Sequence, residues 1–261
     1  MAADLIAKLA DKKTALEGLQ GFETLFGEAD VKAKISLCSH LEKLMDACAD
    51  KQKPVAQAAA ALVQNMFASA TAWSAGYMLK FLKSSLSAKA KPEQKAVACD
   101  IVTAFARNHP ESLSLEIEWL VHPLSILMND IKKEVKEKAK AAMTQVALCS
   151  GNKDLEKFGS TIVKALESAK NVPDCVEELA GCIFVQNVEA PALAVLTPVL
   201  VRGLNERADA TKRRCCVIVD NMCKLIDDPR EGSPLMAEVR GFLTALRQQP
   251  QCLGVLFSLG V

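Results

Sequence analysis

HPLSILMNDIKKEVKEKAKAAMTQVA, residues 122–147, decides the fold. Pro123 is followed by apolar Leu124, Ile126 and Leu127, and Asn129 and Asp130 then read as a turn. Beyond the turn, Val135, Ala139, Ala142, Met143 and Val146 fall three or four apart. That spacing puts them on one stripe of a helix. The same grammar recurs at Pro198, with Val199, Leu200 and Leu204, a turn at Asn205 and Glu206, and then Cys216, Val217, Val219, Met222 and Leu225. Slid along the chain, the template finds equivalent positions at Asp4, Glu42, Lys80, Pro123, Ser160 and Pro198, at intervals of 38, 38, 43, 37 and 38 residues.

Two helices in a period near 39 residues are the mark of HEAT repeats. One helical hairpin cannot bury both of its apolar stripes, so hairpins must stack. The expected fold is therefore all-α, a superhelical HEAT-repeat solenoid of about six hairpins plus a partial seventh. It reads as a single domain over 1–261, with repeats near 2–26, 31–68, 73–108, 111–148, 153–185 and 191–226 and the partial one at 234–248. The helix pairs expected are 2–10 with 13–26, 31–49 with 54–68, 73–86 with 92–108, 111–128 with 131–148, 153–168 with 173–185, and 191–204 with 208–226. Pro54, Pro92, Pro173 and Pro191 fall near helix starts, where a missing N–H leaves no bond unmade. Pro123 and Pro198 fall inside first helices and are expected to kink them.

Composition agrees. Half of the 261 residues are hydrophobic and aromatics are only 5%, which favours helices over strands. A formal net charge of +1 gives no global argument for nucleic acid, so only local patches can matter. The opening MAADLIAKLADKK is neither a signal nor a typical transit peptide, and no apolar run is long enough for a membrane span. The apolar ending QCLGVLFSLGV leaves a solenoid without a polar cap, so either a longer natural chain or a partner is expected there.

The ten cysteines (Cys38, Cys48, Cys99, Cys149, Cys175, Cys182, Cys215, Cys216, Cys223 and Cys252) form no C-x-x-C and are expected to be reduced core residues of an intracellular protein. Cys38 and His40 stand two apart, on different faces of a helix, with no second ligand pair, so a core role is preferred to a metal. The pairs Cys175 with Cys182 and Cys216 with Cys223 are seven apart. They are expected to share a helix face as small interface residues, and one of the adjacent Cys215 and Cys216 is expected to face the core. Trp73 and Trp119 are expected in core packing. No phosphate-cradling G-x-x-x-x-G-K-[ST], no G-x-S-x-G and no G-x-G-x-x-G occurs, so no catalytic residue, cofactor or small-molecule substrate is expected.

Two basic clusters stand out. Lys132, Lys133, Lys136, Lys138 and Lys140 are diluted by Glu134 and Glu137 and read mostly as a solvated helix side. Arg202, Arg207, Lys212, Arg213 and Arg214 surround an inter-helix turn, diluted by Glu206 and Asp209. Cations near a helix start oppose its dipole, which argues for a binding role.

KKEVKEKAKAAMT (132–144), NKDLEKF (152–158), RGLNER (202–207) and VIVDNMCKLIDDP (217–229) together resemble the N-terminal HEAT domain of the translation elongation factor 3 family. The resemblance is close over about 131–229; before that only the repeat grammar agrees. A related region occurs in the large HEAT-repeat activator of the initiation-factor-2α kinase pathway. The resemblance implies a HEAT array followed, in the full-length parent, by a four-helix bundle, two ATP-binding cassettes and an inserted chromodomain. It implies an ATPase parent that helps deacylated tRNA leave the ribosomal exit site. This chain carries no cassette, so the expected role is a non-catalytic, cytoplasmic ribosome-binding domain. Its partner is expected to be the ribosome, through rRNA and ribosomal proteins, or another protein, with no membrane. Arg202, Arg207, Lys212, Arg213, Arg214, Lys132, Lys133, Lys136 and Lys140 are the expected contact residues. The alternative is a stand-alone protein–protein interaction scaffold of the same fold.

Overall fold

The computed structural model describes residues 1–228 and 230–232. Its regular elements are helical throughout, and the described residues contain no strand. Two units divide the chain, one formed by 1–113 with 126–142, the other by 114–125 with the chain from 143 on.

In the first unit α1 (Ala2–Ala7) and α2 (Ala15–Glu28) form the first hairpin. Gly18 permits their close approach, since a Cβ there would lie 2.7 Å from the Leu5 carbonyl oxygen. Next come α3 (Val31–Leu37), α4 (Leu41–Ala47) and α5 (Lys53–Ala68). α5 starts on a proline in its first turn and buries Val55, Ala59, Leu62, Val63, Met66 and Phe67, the stripe that a 3.6-residue period dictates. It packs on α2 and α4, and α7 packs on it in turn. α6 (Ala72–Leu79) and α7 (Pro92–Asn108) follow. Phe22, Leu41, Leu44, Val63, Leu79 and Val102 are fully buried in this unit. The chain continues through α8 (Pro110–Ser114), α9 (Ile117–Leu127) and α10 (Lys133–Leu148). The stripe expected on α10 is correct, for Val135, Ala139, Ala142, Met143 and Val146 are all fully buried.

The second unit holds α11 (Lys153–Glu156), α12 (Gly159–Glu167), α13 (Val172–Ala180), α14 (Ala190–Leu204) and α15 (Asp209–Lys224). α13 packs on α12, α14 and α15. Pro123 and Pro198 lie inside α9 and α14, as the spacing implied.

First helices are more broken than the periodicity suggested. The stretch 31–49 is two α-helices joined by a 3₁₀ turn, Cys38–His40. There Ser39 Oγ donates to the Ser36 carbonyl at 2.7 Å and Cys38 Sγ to that of Lys34 at 3.2 Å, local bonds that compete with the α ladder. Likewise 111–128 divides into α8 and α9, and 153–168 into α11 and α12. α13 stops at Ala180, short of the expected 185. The reason lies in NKDLEKF. The Asp154 carboxylate accepts the N–H groups of Val185 at 2.9 Å and Gln186 at 3.0 Å, drawing that segment out of helix.

Around this carboxylate a polar ladder ties successive inter-repeat connections together. Asn152 Oδ1 accepts from the backbone of Asp154 and Leu155, while its Nδ2 donates to the Asn187 carbonyl. Gln186 accepts from the Lys153 N–H at 2.7 Å. Asn187 donates to Asp227, and Val188 N–H to the Leu225 carbonyl. The expected seventh repeat at 234–248, the apolar ending and Cys252 lie outside the described residues.

The cysteines follow the core reading in part. Cys38, Cys48, Cys99, Cys149, Cys175, Cys215 and Cys216 are buried, so the expectation of one buried member in the Cys215–Cys216 pair is corrected to two. Burial pushes the thiols of Cys48, Cys99, Cys175 and Cys215 up to about 12. Cys182 lies past the end of α13 and is half-buried, so it does not share a helix face with Cys175. Cys38 and His40 point to different partners, for His40 stands edge-on to Phe22 at 5.9 Å. Trp119 is half-buried, its indole N–H donating to Glu116, rather than sunk in the core. The side chain of Trp73 is not among those described.

Candidate functional site

The first candidate surface is the turn between α14 and α15. Its geometry begins at Gly203, where a Cβ would collide with Cys215 Sγ and approach Val176 Cγ2 to 3.3 Å. Only glycine lets α14 lie this close to α13 and α15. Leu204 is buried, and Asn205 Nδ2 donates to the Val201 carbonyl at 2.9 Å. The most specific motif in the sequence, RGLNER, is thus largely a packing device.

Its five basic residues do not share one role. Arg202 turns inward, and its Nη1 donates to the carbonyls of Ala165 at 2.8 Å and Leu166 at 2.7 Å near the end of α12. A guanidinium there satisfies carbonyls that the helix leaves open and complements its dipole. Arg214 pairs with Glu177 at 2.9 Å and Lys212 with Asp209 at 3.7 Å, both at the surface. Such pairs contribute about 0–1 kcal/mol and exchange readily for another anion. Arg207 and Arg213 are exposed. Arg207, Lys212, Arg213 and Arg214 therefore surround the turn, and Arg202 braces it from beneath.

The second surface is the start of α10, in the first unit. Lys132, Lys133, Lys136 and Lys140 are exposed. Lys133 stands 3.7 Å from Glu137, one turn along the helix. Lys138 leans back onto the fold, pairing with Asp100 at 2.7 Å and Glu134 at 3.1 Å. The preceding turn is fixed by Asp130, whose carboxylate accepts the Lys132 N–H at 2.9 Å and receives the buried Lys95 ammonium at 2.9 Å. Those bonds, the backbone N–H of Lys132 first, hold the Asp130 carboxyl below the usual carboxylate range. Asp130 is legible in the sequence as a turn residue, but its pairing with Lys95 is not, because two charges 35 residues apart carry no local signal.

Both surfaces offer charge and reach, with no nucleophile–base pair between their members, so what they can do chemically is hold an anion. Successive helix pairs packed on one another define an all-α helical-repeat protein. Comparison with known proteins gives the family. The description "EF3 N-terminal HEAT repeat" matches residues 1–143, and "Elongation factor 3/GNC1 HEAT repeat" matches residues 170–250. The chain belongs to the elongation factor 3 HEAT-repeat family. Its first half, where the sequence reading saw repeat grammar alone, thus carries the family pattern too.

Elongation factor 3 of Phytophthora infestans is 37% identical over 195 residues, covering 74% of this chain and 18% of that protein. That of Gonapodya prolifera is 31% identical over 212 residues, covering 80% and 19%. Elongation factor 3A of Saccharomyces cerevisiae is 28% identical over 240 residues, covering 90% and 23%. The chain thus spans 18–23% of the length of these relatives. A designed armadillo repeat protein aligns over 99% of this chain at 15% identity, with a TM-score of 0.39, too loose a likeness to add to the assignment.

Proposed function

We propose that this chain is the ribosome-binding, non-catalytic HEAT portion of an elongation factor 3-like translation factor, acting in the cytoplasm where translation runs. The observation that carries this reading is the rim at the α14–α15 turn, within a chain of this family. Arg207 and Arg213 are exposed there, and Lys212 and Arg214 are held only by surface carboxylates. Such cations replace counterions on rRNA phosphates, a contribution that weakens steeply with salt. Lys132, Lys133, Lys136 and Lys140 form a second contact in this reading, and Arg202 supports the first.

Co-sedimentation with ribosomes in a salt series tests it. Changing Lys212, Arg213 and Arg214 together to Glu should leave helicity intact, weaken binding at least about tenfold near 0.1 M salt and make the salt dependence shallower. Equal binding by parent and variant across the series refutes a role for this turn.

A further inference from the structure

A small groove opens in the first unit between α3 and the junction of α5 with α6. It encloses about 110 Å³ and is lined mostly by apolar side chains. Phe26, Cys38, Met66 and Met78 are its buried members. Val31 and Ile35 stand at its rim, 66% and 43% exposed. They lie one turn apart on α3, on the face that also carries Lys34 and Cys38, since residues three or four apart share one side of a helix. Facing them, α6 carries no charged residue from Ala72 to Leu79. An apolar cavity of about 150 Å³ admits benzene, so this smaller one has room for one branched aliphatic side chain. The two methionines let its walls adjust, because the thioether chain is unbranched and soft.

Most polar groups of the lining are turned to backbone close by. Ser69 Oγ donates to the Met66 carbonyl at 2.9 Å, Ser74 Oγ to that of Thr71 at 3.1 Å and Cys38 Sγ to that of Lys34 at 3.2 Å. Lys34 is different. It is the one charged side chain among the described residues that line the groove, and it is half-buried. Its ammonium lies 5.2 Å from the centre of the Phe26 ring, a contact that steadies a cation without neutralising it. Asp30, four residues earlier, has the favoured spacing for an ion pair with this lysine. Its Oδ1 instead accepts the Ala33 N–H at 2.7 Å and caps α3. No carboxylate among the described residues pairs with the Lys34 ammonium, exposed Glu28 at the end of α2 included.

We infer that this groove is a docking site for an acidic amphipathic segment of a partner protein, which inserts one aliphatic side chain beside Val31 and Ile35 and sets a carboxylate against Lys34. Charge complementarity selects the occupant. The lining offers apolar surface and one cation without an anion, so the partner must bring apolar surface and the opposite charge. A basic segment is repelled by Lys34, and a polyanion without apolar side chains leaves Val31, Ile35 and the methionines uncovered. An amphipathic helix supplies both features, with its anchors three or four residues apart and its charges beside them. The groove shares no residue with either basic surface described above, and the inference does not rest on the ribosome reading.

Fluorescence anisotropy on the full chain tests it, with a labelled peptide of roughly 10 residues carrying two leucines four apart among Glu and Ala. The same peptide with Gln or with Lys in place of Glu is measured beside it. The acidic peptide should bind, the Gln peptide roughly five- to tenfold more weakly, and the Lys peptide not measurably. Lys34→Gln should erase the preference for Glu over Gln. V31S/I35S keeps the charge and should bind the acidic and Gln peptides at least about tenfold more weakly. Far-UV circular dichroism of both variants should match the parent, since the altered side chains lie outside the core; if V31S/I35S does not fold, Ile35→Ser alone should show the loss in part. The variant with Lys212, Arg213 and Arg214 changed to Glu should bind the acidic peptide as the parent does, which separates the groove from the arginine rim. The inference is overturned if the parent does not bind the acidic peptide, if Lys34→Gln keeps the preference for Glu, or if V31S/I35S binds as the parent does. It is overturned as well if the parent sediments as a dimer that V31S/I35S dissociates, for the groove then belongs to a second copy of this chain.

Discussion

At the scale of single residues, the family-specific motifs prove to be joints before they are contacts. Gly203 exists to let Cys215 and Val176 close on α14. Gly203→Ala is expected to destabilise the fold by about 1–3 kcal/mol, since the intruding methyl meets side chains that are fully buried. Thermal unfolding checks this, and a Tm equal to the parent's would show that α14 has slack. Arg202 was legible in the sequence as part of a basic cluster, but its direction was not. A periodic pattern says which face a residue occupies, and only the packing of α12 against α14 reveals two open carbonyls within its reach. The buried Lys95–Asp130 pair escaped the sequence for the same reason.

At the scale of elements, the stripe on α10 was legible because hairpin stacking demands apolar residues every three or four positions, and that on α15 in part, for Cys216, Val219 and Met222 are buried while Val217 is exposed. Helix ends and interruptions were not, because they depend on side-chain oxygens competing for backbone groups. Asp154 is the clearest instance. Its bonds to the Val185 and Gln186 N–H groups end any continuation of α13 and hold its carboxyl below the ordinary carboxylate range. A carboxyl lowered by folding adds stability that is fully present above its unfolded value, about 3.9, and is lost as pH falls through the folded one. Asp154→Ala is accordingly expected to cost about 2–4 kcal/mol at neutral pH, where two backbone donors lose a charged partner. The gap between parent and variant should narrow below about pH 4. Denaturant unfolding at a series of pH values measures both. A gap that stays constant down to pH 2 would mean that the carboxylate charge does not matter.

At the scale of the whole molecule, repetition carries the account. One period of about 39 residues, read from the sequence, leads to the all-α HEAT fold and to the family to which the chain belongs. The arginine rim was visible as a cluster within 13 residues, Arg202 to Arg214. The central claim is that the basic inter-helix turns, and not the buried stripes, meet the ribosome. Backbone amide exchange of the chain with and without a saturating amount of ribosomes tests it most directly. The account predicts slowed exchange in residues 205–214 and 132–140 of the bound chain, with core amides of α5 and α13 unchanged. Binding that leaves both basic stretches exchanging at their free rates would contradict it.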